Sequence, residues 1–147
     1  MSTTATETLS VIVERELPFP PEKIWRALTQ PHLLEEWFMK NDFMPVAGHR
    51  FRFRAEPNPR WNGIVGCEVL IVEPNTTLAY SWGVSDDDTD GRKAWIVTWT
   101  LTPTRTGTHL RMEQSGFRPD QKQNYQGARF GWQKHFANLE RHLARSV

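Results

Sequence analysis

Asp86, Asp88, Asp90 and Gly91 stand at the first, third, fifth and sixth positions of a calcium-loop pattern. The twelfth position, where such a loop needs a bidentate glutamate, is Val97, and the flanking segments alternate like strands rather than helices. The run therefore reads as a solvated hairpin, for which Asp90-Gly91 is a turn signal. His135 and Glu113 could share a proton if they met, but strand alternation turns Glu113 to the side opposite Met112. His135 and His142, seven residues apart, have a spacing compatible with metal ligation, although a semi-exposed helical stripe explains them as well. Cys67 is the single cysteine, which excludes an internal disulfide or a cysteine-clustered metal site. With no cationic neighbour in sequence it reads as a small buried apolar residue. No Ser, His and Asp set stands out, and no glycine-rich loop precedes a helix. No catalytic residue, metal or cofactor is assigned.

A stronger chemical signal is aromatic. Seven Trp and eight Phe against two Tyr is a heavy load for 147 residues. Flat apolar rings line ligand cavities, and they also simply fill cores. The candidate rings are Trp37, Phe51, Phe53, Trp61, Trp82, Trp95, Trp99, Phe117, Trp132 and Phe136. Met112 and Gln114 on the last strand and Tyr125 on the following helix complete the candidate lining.

The elements that must hold these rings can be read from periodicity. Between Gln121 and Val147, Trp132, Phe136, Leu139 and Leu143 recur at spacings of four, three and four, a helical stripe that needs a partner surface. Leu9 to Leu17 alternates as a half-buried strand. Pro21 opens a short helix carrying Ile24, Trp25 and Leu28, and Pro31 opens a second with Leu33, Leu34 and Trp37. Strands separated by turns follow: an edge strand at Asp42 to Val46, then His49 to Ala55, Trp61 to Glu73 with a bend at Gly63 or Gly66, Leu78 to Trp82, Lys93 to Thr102 and Thr108 to Ser115. Gly116 to Pro119 links them to the long helix. The expected fold is α+β in a single domain, 1–147, with residues 1–8 flexible: a curved antiparallel sheet of about six to seven strands, two short helices after strand one, and a long C-terminal helix. Glu68, Arg111 and Arg52 are expected to form cross-strand charge pairs on the outer face.

This ordered set resembles the START-like, or SRPBCC, superfamily with the birch-pollen-allergen helix-grip fold. The branch it resembles holds the homologues of the heat-shock-protein-90 ATPase activator's C-terminal domain. The residues that carry the resemblance are Pro21-Glu22-Lys23-Ile24-Trp25 with Ala27-Leu28-Thr29, Trp37-Phe38, Gly48, Gly63, Glu73-Pro74, Leu78 to Trp82, Gly107-Thr108-His109-Leu110, Gly116-Phe117 and Gly131-Trp132. Ala47 stands where members often have a second glycine, and Gln114 where others carry histidine. The resemblance implies a sheet gripping the long helix around a hydrophobic cavity. It does not imply one activity, because the superfamily spans lipid carriers, cyclases and co-chaperones.

A net charge of +1 with scattered basic residues argues against nucleic acid. No run of about 18 apolar residues argues for membrane insertion, and Met1 to Thr8 lacks a signal-peptide pattern, so a cytoplasmic protein is expected, as monomer or homodimer. The leading expectation is binding of an apolar or aromatic small molecule, a lipid among them, between sheet and helix. Entry is expected near Pro57 to Pro59, Ser85 to Gly91 and Gly116 to Pro119, with Tyr125 to Phe136 as roof and the Leu139 to Leu143 end as core. Two alternatives stand beside it. One is a stress or co-chaperone-type module that docks a protein partner. The other is an enzyme acting on a polyketide-like substrate through Gln114, His135 or Tyr125.

Overall fold

The computed structural model describes residues 8–59, 61–83 and 95–145. Strand β1 is Leu9–Leu17, and two helices follow at once, α1 Pro21–Thr29 and α2 Pro31–Trp37. Each helix opens on proline, and the Gln30 that separates them is extended, as a residue preceding proline should be. Six strands come next: β2 Lys40–Asn41, β3 Arg50–Arg54, β4 Ile64–Glu73, β5 Thr77–Trp82, β6 Trp95–Pro103 and β7 Thr108–Phe117. A 3₁₀ turn at Pro119–Gln121 leads into α3, Lys122–Arg145.

All neighbouring strands are antiparallel, and the order β1-β7-β6-β5-β4-β3-β2 closes the N-terminal strand against the last one. This is the α+β helix-grip arrangement expected, with β1 and β2 as open edges. The inward face carries Val11, Val13, Phe51, Phe53, Val65, Val69, Tyr80, Trp82, Val97, Trp99, Leu110 and Met112, all buried. Strict alternation at β3, where exposed arginines flank Phe51 and Phe53, produces this face from a period of two.

Three details differ from the expectation. The short edge strand is Lys40–Asn41 rather than Asp42 to Val46. The Asn41 carboxamide oxygen accepts from the Phe43 N–H, and Asp42 Oδ1 accepts from the Arg52 N–H, so side chains satisfy backbone that a longer strand would have paired. Trp61 lies outside β4, bridged to Asn58, and its indole N–H donates to the Ile64 carbonyl. The register slip in β4 lies at Leu70, between Val69 and Ile71, and turns Leu70 and Ile71 outward. Gly63, the bend residue, does have φ +83, where an added Cβ would strike the Ala55 carbonyl.

The charge pairs on the outer face are partly those expected. Glu68 pairs with Arg50 at 3.5 Å across β3 and β4, and Arg111 pairs with Glu113 at 3.0 Å along its own strand. Arg52 has no ion pair among the described residues. No helix among them is long and apolar enough to cross a membrane. The Asp86–Gly91 run and the Ser85–Gly91 entry lie outside the described residues.

Candidate functional site

The long helix is two helices in terms of packing. From Trp132 onward it buries Trp132, Phe136, Leu139, His142 and Leu143, while between Lys122 and Gly131 it buries nothing completely. The stripe seen in sequence begins only at Trp132. Upstream, Tyr125 and Ala128 are half-buried, and Gly127 and Gly131 present no side chain at all.

Under this less anchored half, a groove of about 680 Å³ runs between α3 and β1. Residues 10–13 of β1 form one wall, and Tyr125, Gln126, Arg129, Phe130 and Gln133 form the other. Val11 and Val13 are buried, whereas Ile12 is exposed at the rim and Phe130 is 82% exposed, an unusual position for a phenylalanine ring. Of the candidate lining read from sequence, only Tyr125 borders this groove directly.

The other candidates form the layer behind it. Val11 is opposite Gln114, and Val13 opposite Met112, so the groove wall adjoins both on β7. Trp37, Phe51, Phe53, Trp82, Trp99, Trp132 and Phe136 make one continuous ring cluster. Phe51 and Phe53 are 5.2 Å apart, Phe53 and Trp82 5.6 Å, Trp82 and Trp132 5.5 Å, and Trp132 and Trp99 5.6 Å. Trp99 then meets Trp37 edge-on at 6.2 Å and stacks on Phe136 at 5.7 Å. Trp95, Phe117 and Tyr125 form a second run, with centroids 4.8 and 5.5 Å apart, that reaches the groove at Tyr125 and ends at Trp95, whose indole N–H donates to Gln121 Oε1. Trp61 belongs to neither and is half-buried at the periphery.

Buried indole N–H groups need acceptors, and the fold supplies them. Trp37 donates to the Ala27 carbonyl at 2.9 Å, Trp99 to the Tyr80 hydroxyl at 3.0 Å, and Trp132 to Gln114 Oε1 at 2.6 Å. Burial pushes the Tyr80 hydroxyl well above the usual phenol range and raises the Cys67 thiol likewise, so both stay neutral.

His135 lies against Phe38 and Trp132, at 4.5 and 5.4 Å between ring centroids. Its Nδ1 is sealed from solvent with no hydrogen-bond partner among the described residues. Burial, with the Lys134 charge adding to it, lowers its pKa from 6.5 to about 4. His142 instead reaches Glu36 of α2, with Nδ1 3.3 Å from the carboxylate, so the two histidines serve different contacts. Among the described residues no three His, Cys, Asp or Glu side chains come together as metal ligands. Gln114, His135 and Tyr125 share no hydrogen bond: Gln114 and His135 both contact Trp132, and Tyr125 packs on Phe117.

Apart from Tyr125, the groove residues on α3 do not stand out in the sequence reading. Their signal was there: Phe130 falls two positions before Trp132, off the buried stripe, between two helix-weakening glycines.

Comparison with known proteins places these features in context. Residues 18–144 match the family model described as Activator of Hsp90 ATPase homolog 1-like protein. A crystal structure of a Mesorhizobium loti protein is 57% identical, with 95% of this chain and 99% of that one covered and a TM-score of 0.84. CalU16 from Micromonospora echinospora is similar in fold at 21% identity, with 99% and 82% covered and a TM-score of 0.76. DynU16, from the dynemicin biosynthetic locus, is likewise similar in fold at 24% identity, with 92% and 47% covered and a TM-score of 0.75. No curated protein matches the sequence.

Proposed function

The chain belongs to the Activator of Hsp90 ATPase homolog 1-like family, of the START-like superfamily, and from that premise we propose that it binds a small apolar or aromatic molecule between sheet and long helix, entering through the groove at β1. The observation that carries this reading is the division of α3. The half with no fully buried residue is the half that covers a groove of about 680 Å³. That volume falls within the roughly 300–1,000 Å³ range of ligand sites, in a groove that is open to solvent and whose wall is more polar than apolar. The exposed Phe130 ring beside it offers apolar contact that the fold itself does not use.

The aromatic layer behind the groove supplies depth. Tyr125 at the groove meets the fully buried Phe117, which stacks on Trp95, and Gln114 and Met112 adjoin the groove wall on β7. Ring pairs contribute about 0.5–1.5 kcal/mol each beyond the burial of their faces, so a ligand that parts them must replace both the stacking and the burial. Trp37, Phe51, Phe53, Trp82, Trp99, Trp132 and Phe136 would then become walls, and Trp61 would sit at their margin. The test is a titration with fatty acids, sterols and fused-ring aromatics, followed by tryptophan fluorescence and thermal midpoint. A saturable shift in both supports binding, and silence in both across the panel defeats it.

One observation favours a protein partner as a second reading. Arg50, Arg52 and Arg54 are all exposed on the outer face of β3, and Lys40 stands directly opposite Arg54. Like charges paired across strands cost stability, and an acidic partner surface would relieve them. Polyglutamate should then perturb the amides of Arg50–Arg54, and their indifference at low salt would remove this reading.

A further inference from the structure

We propose that Arg129 makes the groove between β1 and α3 selective for a carboxylate carried on a flat apolar body. The inference rests on the groove being the ligand entry and goes on to name the ligand's chemical class. Among the described residues Arg129 is the one charged side chain in the lining, and no carboxylate lines the groove beside it. It has no ion pair with any described residue, and its guanidinium carbon lies 5.9 Å from the centre of the Tyr125 ring.

The other nearby cation is already engaged. Arg15 donates to Gln133 Oε1 at 2.7 Å and to the Glu14 carbonyl at 2.8 Å, and pairs with Glu140 at 3.3 Å. That contact fixes which end of the Gln133 amide is oxygen, and leaves its NH₂ with no side-chain partner among the described residues. Gln126 and Ser10 add a further amide and a hydroxyl that have no side-chain hydrogen bond among the described residues. Among the described residues the groove thus presents one guanidinium without an ion pair, neutral donors and an exposed phenyl ring, and no anion in its wall.

A guanidinium offers two parallel N–H groups, which suits a planar carboxylate in the bidentate manner better than a point charge would. Phe130, next to it in sequence and 82% exposed, offers a face for the body to which that carboxylate is attached. An uncharged aromatic would use the ring and leave the guanidinium solvated. An apolar cation would meet only repulsion.

The experiment compares 2-naphthoate with 2-naphthamide, of near-equal shape, by calorimetry and amide chemical shifts on the full chain and on R129Q and R129K. Arg129 is exposed, so neither substitution should impair folding. The expected result is naphthoate binding about tenfold tighter than naphthamide, a preference weakened by salt, lost in R129Q and only partly kept in R129K. Naphthamide affinity should be the same in all three proteins. Equal affinities for the two probes in the native chain, or equal losses of both in R129Q, would overturn the carboxylate preference and leave the groove standing. If neither probe moved the amides of residues 10–13 and 125–133, the groove reading would fail and this inference with it.

Discussion

Trp132 Nε1 donates to Gln114 Oε1 at 2.6 Å, joining α3 to β7 at the point where the helix begins to bury its side chains. Both residues are buried, Gln114 to 2% exposure and Trp132 to 3%. A lone amide at such a site is tolerated because the indole N–H satisfies it, and the indole is tolerated for the converse reason. The pair therefore ties the helix to the sheet where its fully buried stretch begins.

Removing one partner should cost more than removing both would suggest. Gln114→Leu strands the indole N–H, and Trp132→Phe strands the amide oxygen, each adding about 1–3 kcal/mol of desolvation penalty to any packing loss. In urea unfolding of the two single variants and the double variant, the double should lose about 1 kcal/mol less than the sum. Strict additivity would show that the hydrogen bond does not couple helix to sheet.

His135 gives the fold a pH dependence with a definite sign. Its folded pKa of about 4 lies below the 6.5 of the unfolded chain, so the unfolded state binds more protons between these values. Stability from this residue is full above pH 6.5 and falls as pH drops towards 4, by up to about 3 kcal/mol. His135→Leu should flatten that part of the profile, read as the difference between variant and native midpoints from pH 7.5 to 4. A parallel pair of curves would refute the assignment.

The two halves of α3 should answer oppositely to alanine. Leu143→Ala empties a site that is 1% exposed and should cost about 2–4 kcal/mol. At Gly127 and Gly131 an added Cβ meets nothing within 4 Å, so alanine there should stabilise the helix by about 0.5–1 kcal/mol each. The same glycine substitutions should slow ligand association by stiffening the cover. If they speed it or leave it unchanged, the open half of the helix does not gate the groove.

Periodicity made most of this fold legible. The Trp132, Phe136, Leu139 and Leu143 stripe, the prolines at Pro21 and Pro31, and the alternation of Phe51 and Phe53 with arginines each correspond to an element in place. What a period could not carry were local side-chain claims on backbone, such as Asn41 and Asp42 ending the edge strand, and a slip at Leu70 among four consecutive apolar residues. The groove was hidden for a different reason. An inward-facing aromatic reads the same in sequence whether it meets a neighbour ring or a void, while Arg129, Gln126 and Phe130 looked like ordinary solvent-facing helix.

The most direct test of ligand entry at β1 and α3 is an amide chemical-shift map of the native chain titrated with 2-naphthoate. The account predicts saturable shifts concentrated at residues 10–13 of β1 and at Tyr125 to Gln133, extending inward to Gln114 and Phe117. Shifts confined to the Arg50–Arg54 face, or none at saturating ligand, would contradict it.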